Sequence, residues 1–424
     1  MIGLVDSNNF YVSCERVFDL SLEGKPVAVL SNNDGCVISR SQEFKALDIP
    51  MGTPYFQLKP RIKGDGLIFR SSNYALYGDL SRRIISILNL YTPDVEQYSI
   101  DEAFIHMNRR EETDFEALGL EIRAKILKWV GIPCGIGFAP TKTLAKIANH
   151  IGKRSPSGLF LMPEDPSPIL KGLPLSEVWG IGRRLAPKME QLGIRTALDL
   201  ARADPNMLKQ RFSVVQAQTA LELRGIPCFG EEDPERPPQS VSCSRSFGKP
   251  VTTVEALRES IAFHLATACE KLRKSRLRAG MVTLYSQSYP ERISKATAGE
   301  YRALTLNLKM PTAATSRLLE EALPLAERLY REGRRYKKTG VLLFGLEPLA
   351  RTRLDLFQED DRNERAERLS SLMDRLNGKF GRGTLFHLSE GIGREWERVP
   401  RPNFPFSLSI RDESRSALSF RSSS

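Results

Sequence analysis

The sequence predicts a multidomain α+β protein, on three observations. At 424 residues the chain exceeds what one core organises, which predicts two to four lobes. Its N-terminal part alternates short apolar runs with amphipathic stretches, as in MIGLV, PVAVL and YALYGDLSRRIISILNLY. A proline- and charge-rich segment, GEEDPERPPQS (230–240), then separates a helical region from a second region of strands and helices.

Taken in order, MIGLVD reads as a buried strand that delivers Asp6 at its C-terminal end. VEQYSI and AFIHM read as the two strands of a hairpin whose bend carries Asp101 and Glu102. GIPCGIGFA (131–139) is a further strand, followed by a helix, and from about Asp165 to Phe229 the pattern is helical with glycine and proline breaks. Beyond the linker, MVTLYSQS, YRALTLNLKM and KTGVLLFGLEPL predict strands, while TVEALRESIAFHLATACEKLRKSRL and TSRLLEEALPLAERLY predict helices. RNERAERLSSLMDRLNGKF reads as an amphipathic helix, and the closing RSALSFRSSS as a disordered end.

A formal charge of +11 points to a polyanionic partner, and the charge is concentrated. Residues 241–350 hold 19 Lys/Arg against 10 Asp/Glu, in clusters such as KLRKSRLR (271–278) and REGRRYKK (331–338) beside strands. No apolar run spans a bilayer, and MIGLVDSNNF lacks a signal peptide's basic flank, so a cytoplasmic protein without membrane attachment is expected. The six cysteines are scattered without a C-x-x-C pair and there are only four histidines, which argues against a zinc site or a disulfide framework.

The side-by-side acids of YSIDEAF (98–104) sit in an apolar setting, where an unpartnered charge is costly. If the strand carrying Asp6 lies beside the hairpin, Asp6, Asp101 and Glu102 converge on one sheet edge. A straight strand would send Asp101 and Glu102 to opposite faces, so convergence requires the bend. Crowded carboxylates suit divalent cations, and two Mg²⁺ ions about 3.5 to 4 Å apart stabilise an in-line phosphoryl displacement. From spacing alone, a capping Asp6 and an ordinary exposed turn at 101–102 are the simpler explanation of the same residues.

The neighbourhood decides between them. DSNNFYVSCE (6–15), YSIDEAF (98–104) and GIGFAPTKTLAKIANHIGK (135–153), in this order, resemble the catalytic segments of Y-family translesion DNA polymerases. LSNNDGCVISR, FRSSNYALYGDLSRR, VWGIGRR, CSRSFG and GRGTLFHLSEGI narrow the resemblance to the UmuC branch, the catalytic subunits of DNA polymerase V, over nearly the whole chain.

That resemblance implies a right-hand polymerase: a palm over 1–165 with small fingers inserted at about 20–75, a helical thumb with a helix-hairpin-helix at 166–230, a linker at 231–240, and an α/β little finger at 241–350. A clamp-binding and partner-binding tail would follow at 351–424. It implies that Asp6, Asp101, Glu102 and the Ser7 backbone carbonyl hold two Mg²⁺ ions. Tyr11 would be the steric gate against a ribose 2′-hydroxyl, with Phe10 packed beside it. Lys153 and Lys45 would contact the incoming dNTP, Lys45 standing where many relatives carry arginine and Gln42 where they carry tyrosine.

Lys142, Lys146 and Lys153 share one helical stripe, which is also the pattern of a solvated face. Gly180 and Gly182 of the hairpin would approach a DNA phosphate through backbone N–H groups. Pro187 in the second helix fits only in its first turn. Arg245, Lys274, Arg276 and Arg278 are the expected phosphate contacts on primer-template DNA, making binding salt-dependent.

TRLDLFQED (352–360) resembles a β sliding clamp peptide, with Leu354, Leu356 and Phe357 in place and Arg353 where the peptide has glutamine. The resemblance adds a processed UmuD′ dimer and the RecA filament as partners, during SOS damage tolerance. The competing readings are a catalytically inactive, polymerase-like replisome adaptor that binds the clamp, and a two-metal nuclease.

Overall fold

The computed structural model describes residues 1–107, 114–230, 237–290, 299–349, 360–394 and 396. These form two compact units, one of residues up to Asp233 and one of Pro234–Val399. No helix among the described residues is long and apolar enough to cross a membrane.

The first unit begins with β1 (Ile2–Ser7), α1 (Phe10–Phe18), β2 (Val27–Leu30), β3 (Val37–Arg40), and the short α2 (Gln42–Lys45), α3 (Tyr55–Leu58) and α4 (Ile62–Asp65). It continues through β4 (Ile68–Ser71), α5 (Tyr74–Leu88), β5 (Val95–Gln97), β6 (Glu102–His106), α6 (Phe115–Val130), β7 (Cys134–Ala139), α7 (Lys142–Gly152) and β8 (Leu159–Leu161). Its main sheet has the order β5-β6-β1-β7-β8, with β1 central and antiparallel to both neighbours. Burial on both faces is why β1 is a continuous apolar run.

One sheet face, with Val5, Ala103, Ile105, Ile136 and Phe138, shares a core with residues of α1, α5 and α6. The other, with Ile2, Leu4, Phe104 and Ala139, packs against α7. Gly137 makes this approach possible, because a Cβ there would lie 2.1 Å from the Asn149 backbone nitrogen. β2, β3 and β4 make a separate three-stranded sheet, β3-β2-β4, over a core containing Leu30, Val37, Phe44 and Phe69.

Five helices complete the unit: α8 (Ser167–Gly172), α9 (Ala186–Glu190), α10 (Ala197–Arg202), α11 (Pro205–Arg211) and α12 (Val214–Leu223). Pro187 does fall in the first turn of α9, where its missing N–H costs nothing. The buried Glu222 of α12 accepts the Thr143 N–H at the start of α7 (2.9 Å) and those of Cys228 and Phe229. An acid at a helix N-terminus is favoured by the macrodipole, and this one ties the helical part to α7.

The second unit holds β9 (Ser240–Val251), α13 (Val254–Lys274), β10 (Leu277–Ser288), β11 (Tyr301–Thr312), α14 (Thr315–Leu329), β12 (Tyr336–Pro348) and α15 (Asp360–Phe380). Its sheet, β11-β10-β12-β9, is antiparallel throughout, and α13 and α14 cover one face with Leu257, Ile261, Leu265, Leu318 and Leu323 in the core. β9 escapes a hydrophobicity reading because serines occupy much of SVSCSRSFGKPV, leaving Val241, Phe247 and Val251 as its buried apolar residues. α15 lies against α14 and is anchored by paired charges, Arg273 to Asp374 at 2.6 and 2.8 Å and Arg278 to Glu367 at 2.8 and 2.9 Å.

Candidate active site

Asp6 of β1 and Glu102 of β6 are direct partners across the antiparallel ladder, which places both side chains on the sheet face that α7 covers. Asp101 arrives through the bend at 98–101. Ser99 Oγ donates to its carboxylate (2.6 Å) and accepts the N–H groups of Asp101 and Glu102, while the Asp101 carbonyl accepts the Ser7 N–H at 2.9 Å. The hairpin expected around these acids is present, with one difference: Glu102 is the first residue of β6 and not part of the bend.

The lysine stripe on α7 is not a solvated face. Lys142 is buried and donates to Glu96 (2.5 Å) and to the Gly230 carbonyl. Lys146 reaches both oxygens of Glu102, at 3.0 and 3.1 Å. Lys153, just past the end of α7, lies 2.5 Å from Asp6 Oδ2. Each lysine thus meets one acid of the sheet, in register with the helix.

Beside Asp6 opens a cleft of about 400 Å³, lined among others by Ser7, Phe10, Tyr11, Arg40, Lys45, Asp101 and Lys153. Phe10 is buried at its edge, while Tyr11 is partly exposed and stacks on Tyr77. Lys45 faces the cleft from α2; Gln42 is exposed and not among its lining residues. Burial pushes the Asp6 carboxyl up to about 6, opposed by Lys153 and reinforced by the charges of Glu102 and Asp101. Burial, then Arg40 and Lys153, hold Lys45 below the usual lysine range, with Asp6 pulling the other way. Burial raises the Tyr11 hydroxyl, with Tyr74 and Asp101 adding to the rise.

The donors at this end of the sheet are hard oxygens carrying mutually repelling charge, the chemistry that fits Mg²⁺. Among the described residues, no three carboxylate, histidine or cysteine groups gather closely enough to cage an ion as they stand. Asp6 and Glu102 instead hold lysines.

Sequence reasoning missed Arg40 and Glu96. Arg40 closes the VISR strand, and Ile38, Ser39 and Arg40 all line the cleft, so strand alternation by itself did not single it out. Glu96 had no signal beyond being an acid in a strand.

The expected DNA contacts fall in different settings. Gly180 has φ +83, a conformation that favours glycine, and nothing lies within 4 Å of where a Cβ would stand on it or on Gly182, so this backbone is open. Lys274 is exposed and pairs with Glu270, and Arg276 is exposed. Arg278 is instead committed to Glu367, and Arg245 lies over the Phe263 ring at 5.9 Å. Leu354, Leu356 and Phe357 lie outside the described residues.

Known proteins resemble this chain over most of its length. The impB/mucB/samB family matches residues 5–150, the IMS family HHH motif 163–194, the family's C-terminal domain 238–356, and the domain of unknown function DUF4113 367–399. Protein UmuC of Salmonella typhimurium is 39% identical over 93% of this chain and 95% of its own length. Protein SamB of Salmonella typhimurium is also 39% identical, over 94% of this chain and 95% of its own. DNA polymerase IV of Pelotomaculum thermopropionicum is 31% identical over 91% of this chain and 94% of its own.

Among solved structures, the Y-family DNA polymerase chimera Dbh-Dpo4(243-245)-Dbh aligns with a TM-score of 0.66 at 23% identity, covering 81% of this chain and 99% of that one. The insertion ternary complex of Dbh DNA polymerase aligns with a TM-score of 0.53 at 23% identity, covering 81% and 98%. The fold is that of the right-hand polymerases. The chain belongs to the impB/mucB/samB family and is a UmuC-like member of the Y-family DNA polymerases.

Proposed function

We propose that the chain carries out error-prone, template-directed DNA synthesis past lesions during SOS damage tolerance. The observation that carries this reading is the ladder pairing of Asp6 with Glu102, with Asp101 beside them at the mouth of a cationic cleft. In the proposed reaction the primer 3′-hydroxyl attacks the α-phosphate of a dNTP and pyrophosphate leaves.

Asp6, Asp101, Glu102 and the Ser7 carbonyl would hold two Mg²⁺ ions, which when bound supply Lewis-acid stabilisation of the attacking and leaving oxygens. Holding them would require Asp6 to give up its contact with Lys153, which lines the cleft with Lys45 and Arg40 and would bind the triphosphate there. Tyr11 closes the side where a 2′-hydroxyl would enter, with Phe10 supporting it.

The domain assignment we adopt is a palm over 1–165 with fingers at about 20–75, a thumb over 166–230, a linker to 240, a little finger over 241–350 and a tail beyond. Primer-template DNA and dNTP as ligands are supported by the likeness to a polymerase ternary complex. We propose the UmuD′ dimer, RecA filament and β sliding clamp as partners and a cytoplasmic location, on the likeness to the UmuC branch.

Primer extension separates this reading from its rivals. A polymerase lengthens the primer, a replisome adaptor leaves it unchanged, and a two-metal nuclease shortens it. The presence of Asp6, Asp101 and Glu102 with Lys153 speaks against the adaptor, and Tyr11 in the cleft lining speaks against the nuclease, which would need the same carboxylates but no gate.

A further inference from the structure

Lys146 is held differently from the lysines one turn before and two turns after it. Its ammonium donates to both Glu102 oxygens and stands over three rings, Tyr98 at 4.4 Å, Trp179 at 5.3 Å and Phe104 at 5.8 Å. Only 15% of the side chain is exposed. A cation shared between a bidentate carboxylate and three ring faces has one place to be, and it confers that fixity on the carboxylate.

The cage walls have two origins. Tyr98 and Phe104 flank Glu102 on the hairpin. Trp179 comes from the turn before α9, next to the left-handed Gly180. It packs edge-on against Tyr98 (5.6 Å, 90°), donates its Nε1 hydrogen to the Tyr98 hydroxyl (3.3 Å), and is backed by Phe229. Phe229 is in turn tied by its N–H to the buried Glu222. A residue beside the backbone proposed to meet a DNA phosphate therefore touches the cation that fixes Glu102.

We infer that Lys146 is a positioning residue for Glu102 and that Trp179 sets its position, so that a DNA backbone seated on the 179–184 turn is felt at that carboxylate. The inference rests on the reading of Glu102 as part of the active centre. A cation 3.0 Å from Glu102 both aims the carboxylate and competes electrostatically with a divalent cation for the same oxygens. Removing it leaves a carboxylate that takes the divalent cation more readily but aims it worse. Affinity and rate then move in opposite directions, which general damage to the fold does not produce.

The test uses the full chain with primer-template DNA, and measures Mn²⁺ binding by electron paramagnetic resonance together with single-turnover dNTP insertion. Lys146→Met is expected to bind Mn²⁺ at least about threefold more tightly. It should insert about 10- to 100-fold more slowly. Lys146→Arg, which keeps a bidentate cation, should recover most of the rate. Trp179→Ala should shift both quantities the same way as Lys146→Met but less, and Trp179→Phe less again.

Lys146→Met inserting within about twofold of wild type, or losing both Mn²⁺ affinity and rate, or Trp179→Ala changing neither quantity, would each overturn the inference. Glu102→Gln, measured alongside, separates the two levels. If it inserts normally, the reading of the active centre fails; if it is inactive while Lys146→Met is not, only the positioning role fails.

Discussion

Tyr11 lies nearly flat on Tyr77, with ring centroids 4.5 Å apart and planes 20° from parallel, and the Tyr77 hydroxyl donates to the fully buried Glu15 at 2.8 Å. Tyr74 meets Tyr11 edge-on at 6.0 Å. The ring proposed to exclude ribonucleotides is thus the exposed end of a stack pinned into the core. Offset stacks of this kind add about 0.5–1.5 kcal/mol beyond burial, enough to favour one ring orientation.

Removing that ring should remove sugar discrimination. For Tyr11→Ala the ratio of kcat/KM for ribonucleotides over deoxynucleotides is expected to rise about 100-fold, equivalent to about 2.7 kcal/mol, in steady-state insertion assays. Tyr77→Leu, which takes away the platform, should shift the ratio the same way by less. Tyr77→Phe keeps the ring and loses the bond to Glu15, costing about 1–3 kcal/mol in denaturant unfolding. An unchanged ratio in Tyr11→Ala would place the gate elsewhere.

Lys153 and Arg40 are expected to act on nucleotide binding. Lys153→Met should lower kcat/KM for dNTP by about 10- to 100-fold, the loss of one charge-assisted contact. Arg40→Ala should act in the same direction with a smaller effect, since its Nη1 already donates to the Ile49 carbonyl. Parallel primer extension over a dNTP series reads both effects.

The bidentate pair between Arg278 and Glu367, with 15% and 11% of the side chains exposed, should make α15 part of the second unit's stability. Glu367→Ala is expected to cost about 2 kcal/mol, discounted from a fully buried pair. A double-mutant cycle with Arg278→Ala should return a coupling of about 1 kcal/mol or more, read by urea unfolding through Trp396 fluorescence. A coupling near zero would mean that α15 is held by its other contacts.

His264 makes the second unit acid-sensitive. Burial, then the charges of Arg245 and Lys338, depress it from 6.5 to about 3. Its Nε2 has no hydrogen-bond partner among the described residues. The folded state therefore holds it neutral while the unfolded chain protonates it. Its contribution is fully present above about pH 6.5 and is lost as pH falls towards about 3, at about 1.4 kcal/mol per pH unit. His264→Phe should flatten that part of the stability–pH curve; a curve as steep as wild type would assign the acid sensitivity to other groups.

How much of this was legible in the sequence depended on how far each contact reaches along the chain. β1, the hairpin and α7 declared themselves through local periodicity, and the acids at 6, 101 and 102 through their setting in apolar strands. The pairings of Lys142, Lys146 and Lys153 with Glu96, Glu102 and Asp6 join residues distant in sequence, and a helical stripe of lysines looks the same whether it meets water or carboxylates. The pairing of Arg278, expected at a DNA phosphate, with Glu367 was hidden for a related reason: Glu367 lies on a helix whose docking site no local pattern announces. β9 was hidden by its serines.

The central claim is that Asp6, Asp101 and Glu102 form one centre for nucleotidyl transfer. Single-turnover dNTP insertion opposite an abasic site, by the full chain and its Asp101→Asn variant, with and without UmuD′ dimer and RecA filaments, tests it most directly. The wild-type chain should insert measurably and the variant should lose about 1,000-fold or more, about 4 kcal/mol of transition-state stabilisation. Insertion by Asp101→Asn at the wild-type rate would contradict it.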